Sequence, residues 1–205
     1  MVELPNFRAL PGGRAAALQI YRSARLTRIS RGQAEWLRDA CKIRTYLDLR
    51  TQAEIVRDGE PIALLEAGVS WLRLGIESQG PHLRKPDMSQ SSEVAAYYAQ
   101  VLELLAEQWA RAVAIIERRS AALVFGCSHG KDRTGILAAL LLLREGASRE
   151  QIVNDYEASR EGLARAIDEN GRPDTQLRAR ADTVSGATME LFLDRSELQT
   201  MVRTL

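Results

Sequence analysis

The densest chemistry in the chain lies in one stretch, Phe125-Gly126-Cys127-Ser128-His129-Gly130-Lys131-Asp132-Arg133-Thr134-Gly135. A thiol, an imidazole, an ammonium, a carboxylate, a guanidinium and two hydroxyls fall between Cys127 and Thr134. An apolar run, Ala121 to Gly126, precedes the stretch and reads as a strand buried on both faces, as at the centre of a sheet. An apolar helical pattern, Thr134 to Glu145, follows and ends at Gly146. A loop in that place sits at the carboxyl end of a sheet strand, where open α/β sheets bind ligands. It also opens a helix, whose first N–H groups are unpaired and lie at the positive end of the dipole. Successive N–H groups of a tight turn aimed at one point form a nest that suits a tetrahedral dianion. Cys127 begins the loop, and the fixed dipoles with Lys131 and Arg133 should hold its pKa below the ~8.5 of a free thiol. Arg133, separated from Cys127 by the five residues Ser128 to Asp132, can close over an anion bidentately. Ser128, His129, Gly130 and Lys131 supply the wall, Gly130 allowing positive φ or close backbone approach. Thr134 can place its hydroxyl on the sulfur. The chemistry expected is therefore nucleophilic attack by sulfur on a bound oxyanion.

The elements that must position this loop alternate between strand and helix. Strands are expected at Leu18 to Tyr21, Ile43 to Leu49, Val69 to Ile76 and Ala121 to Gly126. Ser30 can cap a helix running to about Ala40. Thr51 to Arg57 reads as a short helix closed by Asp58-Gly59 and Pro61. Gly80, Pro81 and Pro86 mark a loop reaching about Ser92. One long helix, Glu93 to Arg118, carries an apolar stripe through Val94, Tyr97, Tyr98, Val101, Leu105, Trp109, Val113 and Ile116, read as core packing. Ser148 with Gln151 makes a capping box for a helix to about Arg160. The rest, Glu161 to Leu205, has helical composition broken at Asn170-Gly-Arg-Pro173. The expected fold class is α/β: a central, mostly parallel sheet flanked by helices, with extra C-terminal helices. Residues 1–205 are read as one domain, 160–205 being a helical extension packed on it.

Composition narrows the classes. The 205 residues are 45% hydrophobic and 27% charged, enough apolar content for a real core. Lys+Arg 28 against Asp+Glu 27 gives a net charge of +1, which argues against nucleic-acid partners and against disorder. Two cysteines, Cys41 and Cys127, are too few for a disulfide framework, and Cys41 falls on a helix's apolar face as a core residue. His82 and His129 are too few for a metal site. The longest apolar run, Ile136 to Leu143, is too short to span a bilayer, and MVELPNFRALPGG lacks the apolar core of a signal peptide. A cytoplasmic location is expected. The loop also fails as an NTPase P-loop, because three residues separate Gly126 from Gly130 and Asp132 stands where Ser or Thr is required. The bland reading of Cys127 is a buried structural thiol; Arg133 and Gly130 in register after an apolar strand favour the reactive one. Arg22 and Arg50, at strand ends, are either solvated charges or, for Arg50, a contact to substrate. Asp48 is either a cap for the helix beginning at Thr51 or a catalytic carboxylate.

The Cys-x5-Arg spacing resembles the cysteine-based protein tyrosine phosphatases. Its form here, C-x-x-G-K-D-R-T-G, is similar to the bacterial subgroup with tyrosine, dual or phosphoinositide specificity. Asn6-Phe7-Arg8-Ala9-Leu10-Pro11-Gly12-Gly13 resembles that family's N-terminal N-F-R-D-L-G-G segment, and Tyr21-Arg22-Ser23-Ala24 its Y-R-S-A strand. Leu47-Asp48-Leu49-Arg50-Thr51 with Glu54 resembles its D-L-R-T-x-x-E turn, and Val153 to Ser159 its helix after the phosphate loop. The matches run in family order from residue 6 to about 160. Three departures stand out: Gly126 replaces the usual His before the nucleophile, Ala9 replaces an Asp, and Pro11 is inserted.

The resemblance implies a phosphomonoester hydrolase that works through a phosphocysteine intermediate without metal or cofactor. Cys127 would be the nucleophile, Arg133 and the loop N–H groups the anion holders, and Asp132 the first candidate for general acid, followed by Asp48 and then Asp87. The partner is expected to be a phosphorylated protein or a small phosphorylated metabolite, with tyrosine or dual specificity first and an inositol phosphate or other metabolite as the alternative. His129 either contacts the leaving group or points to solvent. A phospho-binding pseudophosphatase and a rhodanese-like sulfurtransferase are the rival classes.

Overall fold

The computed structural model describes residues 4–12, 19–77, 83–168 and 170–205. Five strands form one sheet in the order β1-β2-β5-β3-β4: β1 (Arg8–Ala9), β2 (Ile20–Ser23), β3 (Thr45–Asp48), β4 (Ser70–Arg73) and β5 (Leu123–Gly126). β2, β5, β3 and β4 run parallel, and β1 lies antiparallel on the edge. The strand expected over Leu18 to Tyr21 runs on to Ser23, while Leu18 lies outside the described residues.

Period-two alternation places helices on both faces of this sheet. Leu123, Phe125 and Cys127 join one apolar cluster, and Val124 between them joins the other. The second cluster is closed by α1 (Arg31–Asp39) and α3 (Ile62–Glu66), with α2 (Gln52–Asp58) between them in the chain. α3 lies where Pro61 was read as a stop; Pro61 ends one element and stands as the N-cap of the next. The first cluster is closed by α4 (Ser91–Leu104), α5 (Ala106–Glu117), α6 (Asp132–Arg144) and α7 (Arg149–Ala164). The capping boxes at Ser30 with Gln33, Thr51 with Glu54, and Ser148 with Gln151 all form.

The single helix expected over Glu93 to Arg118 is two, broken at Leu105 (φ −117°, ψ 32°). The apolar stripe continues through the break. The bend lets the fully buried Trp109 turn its indole N–H onto the Val101 carbonyl at 3.1 Å, a tertiary satisfaction that periodicity does not carry. After α7 come α8 (Thr175–Arg178), a 3-10 turn (Ala181–Thr183), α9 (Gly186–Leu193) and α10 (Ser196–Thr204). Leu177, Val184, Met189, Phe192, Leu198 and Met201 are buried in the same apolar cluster as α4 to α7. Among the described residues no helix is long and apolar enough to cross a membrane.

Candidate active site

The segment from Cys127 to Lys131 joins the end of β5 to the start of α6. Its carbonyls are pulled outward by three side chains. Asn6 donates from Nδ2 to the Gly130 carbonyl at 2.9 Å and to that of His129 at 3.2 Å. Arg22 donates to Gly130 O at 2.8 Å, and Arg25 to Ser128 O at 3.4 Å from its side chain and 3.3 Å from its backbone. Peptide units whose oxygens are held outward turn their N–H groups to the opposite, concave side. α6 begins there with no side-chain cap, so its first N–H groups stay open. Gly130 must be glycine: its φ is +66°, and a Cβ would lie 2.4 Å from Ser23 O. At Gly126 a Cβ would meet the same carbonyl at 2.7 Å, so the backbone has closed over the place where the family's histidine would stand.

Cys127 begins the loop just past β5, 2% exposed and packed in the apolar cluster with Phe125. Arg133 is steered by Glu54, whose carboxylate it grips bidentately at 2.6 and 2.5 Å. Burial works against the Arg133 charge, yet the hydrogen bonds to Glu54 and the neighbouring Cys127 sulfur raise its pKa. Glu54 also accepts from Ser128 Oγ at 2.6 Å and from Thr51 N at 2.9 Å, so one carboxylate caps α2 and fixes Arg133. Burial would raise the Glu54 pKa, but Arg133, Ser128 and the Thr51 amide together pull it down to about 2. A depressed carboxyl contributes stability that is fully present above its ordinary 4.5 and is lost as the pH falls toward 2. The stability gap between wild type and Glu54→Gln should therefore be widest above pH 4.5 and close progressively below it, measured as denaturant midpoints by tryptophan fluorescence. A gap that is constant with pH would contradict the pairing.

Of the three aspartates considered as general acid, Asp132 is the one that lines the cavity beside the loop. Its side chain is 28% exposed, and Oδ1 accepts from Tyr98 Oη at 2.5 Å and pairs with Lys131 Nζ at 3.0 Å. Burial alone would raise it, but the Lys131 charge and the hydrogen bonds from Tyr98 and Lys131 hold it below the usual carboxylate range. Lys131 is buried and also reaches Thr183 Oγ1 at 3.0 Å, so the C-terminal 3-10 turn tethers the loop. His129 is half-buried, and desolvation lowers its pKa to about 4, which leaves the imidazole neutral at pH 7. The Thr134 hydroxyl is fully buried with no hydrogen-bond partner.

Of these groups Glu54, His129, Lys131, Asp132 and Arg133 line a cavity of about 360 Å³, with Arg57, Lys85 and Arg180 among its cationic walls, while the buried Cys127 and Thr134 lie behind that lining. Asp48 and Arg50, expected at the site, are not among its lining residues. Asp48 and Arg50 are buried and pair with each other, Arg50 donating from Nε to Oδ1 at 3.0 Å and from Nη2 to Oδ2 at 2.7 Å. The Trp71 indole adds a bond to Asp48 at 3.1 Å, and Arg50 reaches Gly59 O at 3.1 Å. Both charges are thus paired within the β3–α2 turn, neither side chain is among those lining the cavity, and Thr51 rather than Asp48 caps the helix. Asp87 is exposed and accepts from Ser89 N and Oγ at 2.9 and 2.8 Å.

Sequence reasoning missed four contributors. Arg22 is buried, not solvated: it pairs with Asp155 of α7, which Arg8 also holds at 3.0 Å. Glu54 was visible only as part of a turn pattern. Tyr98 was read as core, which its ring is, while its hydroxyl meets Asp132. Arg180 had no signal at all. Among the described residues no group of three or more His, Cys, Asp or Glu is placed to hold a metal ion.

The sequence model described as the tyrosine phosphatase family matches residues 2–202. No curated protein matches the chain by sequence. Among solved structures the chain is similar to the Siw14 catalytic core, at 16% identity over 99% of this chain and 93% of that one, TM-score 0.45. It is similar to the core catalytic domain of the S. cerevisiae PP-IP phosphatase SIW14 in complex with citrate, at 16% identity, 90% and 88% coverage, TM-score 0.43. It is similar also to P. aeruginosa TpbA in complex with pTyr, at 17% identity, 86% and 87% coverage, TM-score 0.38.

Proposed function

The chain belongs to the tyrosine phosphatase family, and from that premise we propose that it hydrolyses phosphomonoesters through a phosphocysteine on Cys127. The observation that carries the reading is the loop between β5 and α6, with its carbonyls tied outward, a buried cysteine at its start and Arg133 held at its end by Glu54. In the first step Cys127 Sγ attacks phosphorus, the P–O ester bond breaks, and Asp132 gives its proton to the leaving oxygen. The charge of a bound phosphate dianion raises the pKa of Asp132 from its depressed resting position, which favours the proton there when it is needed. In the second step Asp132 takes a proton from water as the water oxygen attacks phosphorus and the P–S bond breaks, releasing phosphate and the thiolate. Loop N–H groups and Arg133 stabilise the charge on the three equatorial oxygens. The buried Thr134 hydroxyl, which has no partner in the resting loop, is the donor this reading assigns to the sulfur as it leaves.

A phosphorylated protein, on tyrosine or with dual specificity, is the first substrate class. A small polyphosphorylated metabolite such as an inositol phosphate is the second reading, favoured by one observation. The cavity, about 360 Å³, is of the size that encloses a small ligand, and it adds Arg57, Lys85 and Arg180 to the cations of the loop. The test is phosphate release across phosphopeptides, inositol phosphates, nucleotides and sugar phosphates, with Cys127→Ser as control. If the second reading holds, Arg180→Ala should lower kcat/KM for a multiply phosphorylated substrate about tenfold, about 1.4 kcal/mol, and for a neutral-rimmed phosphotyrosine peptide far less. Equal losses on both favour the protein substrate. No release from any of them, with phosphopeptide binding retained, would leave a binding module, and thiocyanate formed from thiosulfate and cyanide would mark a sulfurtransferase.

A further inference from the structure

We propose that Tyr98 is the positioning residue of the general acid, and that it acts through Asp132 as the inner link of a hydrogen-bonded chain Tyr156–Tyr98–Asp132 that crosses from α7 to α4 to the start of α6. The proposal rests on the reading of Asp132 as the acid. Its geometry is specific. Asp132 Oδ1 accepts the Tyr98 hydroxyl at 2.5 Å and meets Lys131 Nζ at 3.0 Å, so this oxygen's acceptor capacity is engaged. The proton to be donated must then ride on Oδ2. The Tyr98 and Tyr156 hydroxyls lie 2.8 Å apart and both rings are buried. Tyr98 donates to the carboxylate, so Tyr156 must donate to Tyr98; the outer hydroxyl fixes the direction of the inner one. The two rings are held edge to face, centroids 6.4 Å apart, and Phe192 of α9 packs edge-on against Tyr98 at 5.6 Å. An exposed tyrosine could not hold a carboxyl this way; a caged one restricts it to one rotamer.

Among the described residues, the charged and titratable groups around Asp132 enter the prediction, with Glu54, Arg57 and Lys85 further along the cavity wall. Tyr98 comes from α4, Tyr156 from α7, Lys131 and His129 from the loop, Arg133 from α6, and Arg180 from the segment after α8. Lys131 and Arg133 remain in a Tyr98→Phe variant and keep the site cationic. What is lost is one hydrogen bond to the ionised form, so the Asp132 pKa must rise.

The experiment is the pH profile of kcat for Tyr98→Phe on two substrates, phenyl phosphate, whose leaving group needs a proton, and para-nitrophenyl phosphate, which needs one less. The expected result is a descending limb moved to higher pH, with kcat for phenyl phosphate lowered about tenfold more than for the nitrophenyl ester. Tyr156→Phe should move the limb the same way by less. A residue that served the fold alone would lower both substrates equally and leave the limb in place; that result overturns the proposal. Asp132→Asn supplies the separate check. It should flatten the descending limb and steepen the leaving-group dependence, and adding Tyr98→Phe to it should change neither. If Asp132→Asn keeps the rate within about threefold and the limb intact, the reading of Asp132 itself fails, which is a different failure from an unmoved limb in Tyr98→Phe alone.

Discussion

Cys127→Ser is expected to lower phosphate release by about 10⁴-fold or more, the scale on which losing a catalytic nucleophile acts, with the fold unchanged. A serine hydroxyl is nearly isosteric with the thiol, so the buried start of the loop keeps its packing, but its proton is held far too tightly for loop dipoles and Arg133 to release it at neutral pH. The anion cup itself does not depend on the sulfur. Its carbonyls are held by Asn6, Arg22 and Arg25, and its arginine by Glu54. The variant should therefore still bind orthophosphate, seen by titration calorimetry, and its melting temperature should shift by less than about 4 °C, equivalent to about 1 kcal/mol for a chain of this size. Residual turnover within tenfold of wild type would remove Cys127 from the mechanism.

Asp155→Ala should be the most damaging change away from the site. Asp155 is 3% exposed in its side chain and pairs with Arg22, which is fully buried, and with Arg8. Removing it leaves a guanidinium in the interior without its counter-charge, a defect that costs about 3–5 kcal/mol in buried pairs. Asp155→Asn keeps a hydrogen-bond acceptor and should cost less. Because Arg22 also holds the Gly130 carbonyl at 2.8 Å, activity should fall together with stability. Urea unfolding measures the first and phosphate release the second. A destabilisation below about 1 kcal/mol, the level of an exposed pair, would mean that water reaches Arg22 and that the network is not sealed.

The two substitutions differ in how visible their reasons are in the sequence. Cys127 and Arg133 lie within one loop, and the run from apolar strand through Gly130 to apolar helix fixes their mutual placement by local rules. The same holds for the capping boxes at Ser30, Thr51 and Ser148, whose partners sit three residues away. Asp155 and Arg22 are 133 residues apart. Nothing local tells a strand-end arginine that it will be buried, and so Arg22 and Arg50 could be read as solvated when both are interior.

Asp48 makes the same point from the other side. At the carboxyl end of a central strand it had the position expected of a catalytic group, but Arg50 and Trp71 use up its acceptor sites. Whether a carboxylate is free to donate a proton depends on which donors converge on it, and one of them, Trp71, arrives from the neighbouring strand β4.

What the sequence by itself determined is the local part: the mostly parallel sheet with helices on both faces, and a phosphate-type loop with sulfur at one end and a guanidinium at the other. Periodicity, caps and short spacings are properties of neighbouring residues, and they survive being read in one dimension. Only the tertiary structure decided which carboxylate faces the cavity, that Glu54 aims Arg133, that Tyr98 turns its hydroxyl to Asp132, and that Arg180 joins the wall. Those relations are set by burial and by the pairing of charges far apart in the chain. An interior of low polarity forces each buried polar group to find a partner, and the partner is chosen by the fold.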